Sequence, residues 1–338
     1  MMDSGITILL LEWFALHGRD LPWRYRGGAH PNPYHVWVSE VMLQQTTVQT
    51  VGPYFHRFIE RFPDVIALAN ADITDVYQLW QGLGYYSRAR SLHKTAGILA
   101  NEFGGKFPDN HDTWLRMSGI GPYTAASIMA LGFNRAETAV DGNVTRVVCR
   151  LYGLDRPVGE IRNEIHARAC ALTSHTHPAD YTSAIMDFGA TVCTPRNPQC
   201  ETCPVAQYCR ARQQGRVDQI PITAKPPKKE RHGVAYLIKN AHGQFFIRRR
   251  PGRGLLAGLY ELPWTDDGTP VIHLPAAETG VAVTHTFTHF KLYLDIKIID
   301  ADAVDLDGLF ISANELDTYP MSTLMKKAFT AARRKNLI

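Results

Sequence analysis

No stretch of this sequence is apolar for long enough to cross a bilayer, which takes about 20 consecutive apolar residues. The longest early run, residues 6–11, is broken by Glu12. It has no basic leader and no small-residue cleavage site, so it is expected to be the first helix of a core, with the cytoplasm as the default compartment. A strong charge imbalance is also missing. The formal net charge of +4 over 338 residues is compatible with a nucleic-acid partner without establishing one. With 45% hydrophobic and 20% charged residues, the composition excludes a disordered or fibrous chain. The length suffices for two domains with substantial cores. No fixed-period repeat is present, and no alternating strand pattern precedes residue 193.

Cysteine is scarce except in one place. Of six cysteines, Cys193, Cys200, Cys203 and Cys209 form a C-x6-C-x2-C-x5-C string. A reducing compartment argues against disulfides there, and crowded thiols then point to a metal or cluster. Four thiolates can hold a [4Fe–4S] cluster or a tetrahedral zinc, and spacing alone does not choose. Pro195, Pro198 and Pro204 favour a turn-rich wrap, with Arg196, Arg210 and Arg212 around it. Cys149 and Cys170 stand apart at helical positions and read as core residues.

Up to about residue 215 the pattern is helical, with helices expected over 36–60, 72–80, 87–103, 123–132 and 144–152. Residues 219–231 contain Pro221, Pro226 and Pro227 among Lys225, Lys228, Lys229 and Arg231, which reads as a basic, extended linker. The period then changes to two. Residues 234–238 and 244–248 flank an Asn-Ala-His-Gly turn and read as a hairpin. Phe290, Leu292, Leu294, Ile296 and Ile298 form one face of a half-buried strand, and Ser322 starts a basic C-terminal helix. The division expected is 1–218 as a mainly α domain including the 193–209 loop, 219–231 as linker, and 232–338 as an α+β domain.

Two features carry chemistry. Residues 115–126 read LRMSGIGPYTAA, in which Gly119 and Gly121 make a tight reversal before a new helix. Glycine lets a phosphate approach, and the free N–H groups of the second helix face it, which is how a helix–hairpin–helix grips a DNA backbone. A plain helical corner is the alternative. The second feature is a pair of acids. Glu40 lies among Val36, Trp37, Val41 and Leu43 on a helix, and burial there would raise its pKa so that it holds a proton near neutrality. Otherwise it is a surface residue of an amphipathic helix. Asp141 precedes a helix and reads as an N-cap, or as an anion beside a developing sugar cation; both can hold at once.

Together these strings resemble the helix–hairpin–helix DNA glycosylase superfamily with an iron–sulfur loop, over nearly the whole chain. WVSEVMLQQT, GIGPYT and the presence of a second domain place the resemblance in the adenine glycosylase branch, with Tyr123 where the lyase branch has its Schiff-base lysine. The resemblance implies a [4Fe–4S] cluster on the four cysteines. It implies a monomer acting on double-stranded DNA with adenine opposite 8-oxoguanine or guanine, associated with the nucleoid through that DNA. It puts the general acid on Glu40, the carboxylate facing the sugar cation on Asp141, a hydrogen-bonding partner on Asn143, and Tyr123 near the anomeric carbon. Trp23, Arg24 and Asp187, in LPWR and MDFGA, match the adenine pocket. Gln45 with Thr46 in LQQT, and Tyr85 with Leu83 in GLGYYSR, match segments wedged into the duplex beside the lesion, where a flat side chain fills the gap left by a flipped base. One of Tyr85 and Tyr86 also reads as core. Arg88, Arg90 and Lys94 read equally as phosphate contacts or as a solvated helix face.

Residues 232–338 resemble a Nudix fold through IRRRPGRGLLAGLYELP. The acidic helix that holds magnesium in Nudix hydrolases is absent, since TDDGTP follows Trp264, so this domain is expected to bind and not to cut. The family reads 8-oxoguanine with a Phe-Ser-His loop. Here the string is Phe287-Thr288-His289, which keeps the hydroxyl and adds a methyl. Two other functions compete: a pyrimidine glycosylase with lyase activity, which needs a lysine amine, and a non-catalytic iron–sulfur DNA-binding or redox protein, which would not need Glu40 and Asp141 together.

Overall fold

The computed structural model describes residues 2–24, 31–223 and 227–338. The chain forms two compact units, Met1–Asn70 with Ser91–Lys225, and Ala71–Arg90 with Pro226–Ile338.

The first unit is helical. It comprises α1 (Met2–His17), α2 (Pro33–Leu43), α3 (Val48–Arg61) and α4 (Val65–Ala69). After α5 (Ile73–Trp80), which belongs to the other unit, α6 (Ser87–Phe103) runs into it. Then come α7 (His111–Leu115), α8 (Pro122–Ser127), a π turn at Ile128–Gly132, α9 (Gly142–Tyr152), α10 (Arg162–Leu172), α11 (Pro178–Thr191) and α12 (Arg210–Gln213). Val147 and Val148 of α9, Ala184, Ile185 and Phe188 of α11, and Ile6 and Leu10 of α1 share one core. In α2, eight of eleven residues are buried, so this helix has no solvent face to shed a polar side chain onto. Trp37 packs against Trp114 and Phe107, and the helix starts on Asn32, whose side chain caps Tyr34 N–H.

The second unit is built on a sheet: β1 (Lys229–Lys239), β2 (Phe245–Arg249), β3 (Tyr260–Glu261), β4 (Ala277–Thr286), β5 (Phe290–Asp300) and β6 (Leu309–Ile311), followed by α13 (Thr323–Arg334). The strand order is β3-β2-β1-β5-β4, with β6 on β2. β1 and β5 run parallel from Lys229↔Phe290 to Lys239↔Asp300, and the other pairs are antiparallel. Alternation sends Leu292, Leu294 and Ile296 to the face covered by Leu324, Met325 and Ala328 of α13, while Tyr236, Ile238 and Ile299 form a smaller core on the other face. Between β3 and β4 there is no helix, so the acidic metal-binding helix is missing from the structure as from the sequence.

Four expectations need correction. The single helix over 36–60 is two helices, because Gln45 adopts the left-handed region at φ 60° and Thr47 caps α3 through Thr50 N–H. The linker over 219–231 is shorter, because Lys229–Arg231 already pair with Phe290–Leu292; its residues 224–226 lie outside the described residues. Residues 71–90, counted with the helices from sequence, group with the sheet. Cys149 is buried as expected, but Cys170 is exposed, with its sulfur 3.5 Å from His166 Nδ1 on the solvent side of α10.

Candidate active site

A cleft of about 1220 Å³ opens in the helical unit, lined among others by Trp23, Arg24, Glu40, Tyr123, Asp141 and Asn143. Gln45 and Thr46 reach its wall only because the chain breaks between α2 and α3. Thus eight residues spread over 120 positions of sequence converge on one space.

Glu40 is 5% exposed. Its Oε2 accepts from the Tyr123 hydroxyl at 2.7 Å and from the Ser127 hydroxyl at 2.9 Å. Burial raises its pKa. The two hydroxyl donors and Arg24 pull the other way, while the negative charge of Asp141 adds to the rise. The net direction is upward, toward a carboxyl that carries a proton. Burial and the neighbouring carboxyls hold the Tyr123 phenol well above its usual range, so it remains a donor. Ser127 ends α8 where the helix passes into the π turn, a local widening that is common at functional sites.

Asp141 caps α9. Its Oδ1 accepts from Val144 N–H at 2.7 Å and its Oδ2 from Asn143 Nδ2 at 3.1 Å. Burial raises its pKa, against these donors and Arg146. The hydrogen bonds continue: Arg146 Nη2 donates to Asn143 Oδ1 at 2.8 Å and to Gly189 O at 2.6 Å, and Arg146 Nε donates to Cys193 O at 2.7 Å. A Cβ on Gly189 would sit 2.8 Å from that of Asn143, so only glycine lets α11 approach here. Asp187 is wholly buried and takes four bonds from two arginines: Arg19 N, Nε and Nη2, and Arg24 Nη1 at 2.7 Å. Burial alone would raise its pKa, but the two guanidinium groups outweigh it and hold it down.

The four cysteines of residues 193–209 are all half-buried and free of disulfides. Burial first, and then the charge of neighbouring cysteines, raise Cys200, Cys209 and Cys203, the last to about 12. Arg150, almost wholly buried, donates to Cys193 Sγ at 3.4 Å and to Thr194 O at 2.7 Å. The four cysteines feel one another's charge, and the buried Arg150 cation sits on Cys193 Sγ, a donor set whose chemistry suits an anionic thiolate-held centre.

Gly119 turns the hairpin at φ 76°, and a Cβ there would lie 2.5 Å from that of Ser91. Gly121 caps α8 with its N–H groups uncovered by any side chain. The remaining expected residues lie in the sheet unit. Phe287 and Phe290 stack at 4.6 Å across a turn closed by Phe287 N–H on Phe290 O, which leaves Thr288 and His289 exposed. Tyr85, 44% exposed, meets Thr288 Oγ1 at 2.9 Å through its hydroxyl, whereas Tyr86 is core. Leu83 is buried, so its side chain is not a contact surface. Arg88 is buried too, on neither a phosphate nor a solvated face.

Sequence reading missed Ser127, Arg19 and Arg146. Ser127 is a lone hydroxyl in the apolar run AASIMALG, which is the one signal that could have marked it.

A family model of HhH-GPD superfamily base excision DNA repair proteins matches residues 38–169. A NUDIX domain model matches 234–331, and the iron–sulfur binding domain of endonuclease III matches 193–209. The chain is 33% identical to the adenine DNA glycosylase of Homo sapiens, over 95% of this chain and 72% of that protein. It is 34% identical to the adenine DNA glycosylase of Buchnera aphidicola subsp. Baizongia pistaciae (strain Bp), over 75% and 72%. Among solved structures, a thermostable thymine-DNA glycosylase aligns with TM-score 0.56 and 26% identity, over 63% of this chain and 97% of that one. An endonuclease III–DNA complex shares the fold at TM-score 0.52 and 21% identity, over 62% and 94%.

Proposed function

The chain belongs to the adenine DNA glycosylase family, and from that premise we propose that it removes adenine opposite 8-oxoguanine, or opposite guanine, leaving an abasic site in an intact strand. The observation that carries this reading is the buried carboxyl of Glu40, its pKa raised chiefly by burial, lining one cleft with Asp141. In this reading adenine flips into the cleft beside Trp23 and Arg24, which Asp187 holds from below. Glu40 gives its proton to adenine N7. The C1′–N9 bond breaks with its electrons going to the base, and Asp141 faces the resulting sugar cation. Water adds to C1′ and returns a proton to Glu40. Asn143 and Arg146 keep Asp141 oriented.

Tyr123 offers a phenol and not an amine, which supports hydrolysis without a Schiff base. Cys193, Cys200, Cys203 and Cys209 would hold the [4Fe–4S] cluster; when bound, it ties the four thiolates into one loop whose first carbonyl meets Arg146. Residues 232–338, with Phe287, Thr288 and His289 at an exposed turn, would read the opposite base, and Gly119–Gly121 would grip the backbone.

The test is single-turnover excision on a duplex carrying adenine opposite 8-oxoguanine, with and without alkali. Abasic product that yields strand breaks only after alkali is expected. Breaks without alkali, or adduct trapped by borohydride, would assign the chain a lyase; no product at all would leave it a binding protein.

A further inference from the structure

We propose that Arg88 is a positioning residue for Tyr85, holding that side chain in the pose in which it enters a duplex. The inference rests on the glycosylase reading above and on geometry within residues 80–88. Tyr85 has φ 49°, the left-handed region that a residue with a Cβ adopts only when its surroundings impose it, and yet its ring is among the most exposed large aromatics. Arg88, 8% exposed, lies directly beneath. Its Nη2 donates to Leu83 O at 3.2 Å and to Gly84 O at 3.1 Å, and its backbone N–H donates to Tyr85 O at 2.9 Å. Its guanidinium carbon stands 5.3 Å from the centre of the Tyr85 ring and 5.4 Å from that of Trp80, whose Nε1 also donates to Gly84 O.

A guanidinium is the side chain suited to this combination. Its edge donates to carbonyls that the reversed turn aims inward, while its flat face carries aromatic rings; an ammonium is a point charge and cannot do both. Burial lowers the Arg88 pKa only to about 10, so the group stays cationic at neutral pH. The turn is therefore held before DNA arrives. A side chain already in its inserted pose does not lose conformational freedom on binding, and that saving goes to unstacking the base pair.

The experiment compares wild type, Arg88→Ala, Tyr85→Ala and the double variant in full-length, cluster-loaded protein. The readouts are single-turnover excision of adenine opposite 8-oxoguanine and the fluorescence of 2-aminopurine placed beside the lesion, which rises on unstacking. Arg88→Ala should lower excision about ten- to a hundredfold, the order expected of a misplaced functional side chain, and suppress the fluorescence rise at saturating protein. In the Tyr85→Ala background it should cost nothing more. Arg88→Gln, which keeps one carbonyl donor without the flat cation, should fall between, and serves if Arg88→Ala does not fold. Wild-type excision and unstacking by a folded Arg88 variant would overturn the proposal. So would a loss that persists undiminished without Tyr85, or a harmless Tyr85→Ala in an active enzyme. An inactive wild type would instead remove the glycosylase reading beneath it.

Discussion

The hydroxyl of Tyr85 and the hydroxyl of Thr288 lie 2.9 Å apart, so two residues separated by 203 positions form one exposed polar pair. Each was expected separately to meet DNA, one as a wedge and one as a reader of the opposite base. Because they share a hydrogen bond, their substitutions should not be independent. Thr288→Ala is expected to lower the preference for adenine opposite 8-oxoguanine over adenine opposite guanine by about three- to tenfold, the worth of one hydrogen bond. Tyr85→Phe keeps the ring and should move the preference in the same direction. The double variant should lose less than the product of the two. Strictly multiplicative losses would show that the pair has no functional coupling.

In the proposed mechanism Glu40, as the general acid, would set the pH dependence. Its folded pKa is raised, chiefly by burial, and the general acid works only when protonated. Excision should therefore fall as pH rises through that raised value, above the ordinary carboxyl range near ~4.3. Tyr123 opposes the rise by donating to the carboxylate, so Tyr123→Phe should move the falling limb to higher pH, whatever it does to the maximal rate. A limb that moves to lower pH would contradict the assignment. Stability follows with its own sign. A raised carboxyl pKa means that ionisation opposes folding, so the penalty is absent below the unfolded pKa and complete above the folded one. Glu40→Gln removes it while still accepting from Tyr123 and Ser127. That variant should lose excision about 10²–10⁴-fold, yet be as stable as wild type or about 1 kcal/mol more stable at pH 7. Melting curves at pH 4 and pH 7 would check this, the gain appearing only at the higher pH.

The four cysteines carry a compositional prediction. Protein purified without air should contain iron and sulfide, with the broad visible absorbance of a thiolate-held cluster. Cys200→Ser should lose part of that absorbance. Removal of the cluster should loosen the 193–209 loop and, through Arg146 and Asn143, the setting of Asp141. Hydrogen exchange at the start of α9 would read this. Stoichiometric zinc in place of iron, or unchanged exchange at 141–146 in cluster-free protein, would refute the respective half.

What could be read from the sequence follows the range of the interactions involved. Asp141 was legible as a cap because its partner, Val144 N–H, is three residues away. For Glu40 the apolar neighbours on its own helix left a buried acid and a surface residue both open, and the family resemblance was needed to choose. The alternation of β5 is local as well. Arg19 was invisible, since the buried acid that fixes it lies 168 residues on. The break after α2 was missed for a different reason: no glycine or proline marks it, and only the polar string Gln44-Gln45-Thr46-Thr47 interrupts the apolar pattern. That string is what brings Gln45 and Thr46 to the cleft.

Deleting residues 231–338 is the direct test of the sheet unit as reader of the lesion, and the structure changes what the deletion should do. Residues 71–90 depend on the part removed. Gln78 donates to Thr318 O at 2.9 Å, Gln81 and Tyr86 to Met321 O at 3.2 and 3.3 Å, and Arg90 to Ala257 O at 2.8 Å. Truncation leaves those donors without their carbonyls and exposes the buried rings of Tyr77 and Tyr86. The truncated protein should therefore lose excision on both duplexes, by tenfold or more, as well as its preference for the lesion. Exchange protection should fall over 71–90 and persist over α9 and α11. Thr288→Ala, which leaves that packing untouched, should change preference with little change in exchange. A truncated protein that folds, keeps protection at 71–90 and retains the full preference for 8-oxoguanine would show that neither the sheet unit nor its turn at 287–289 reads the opposite base.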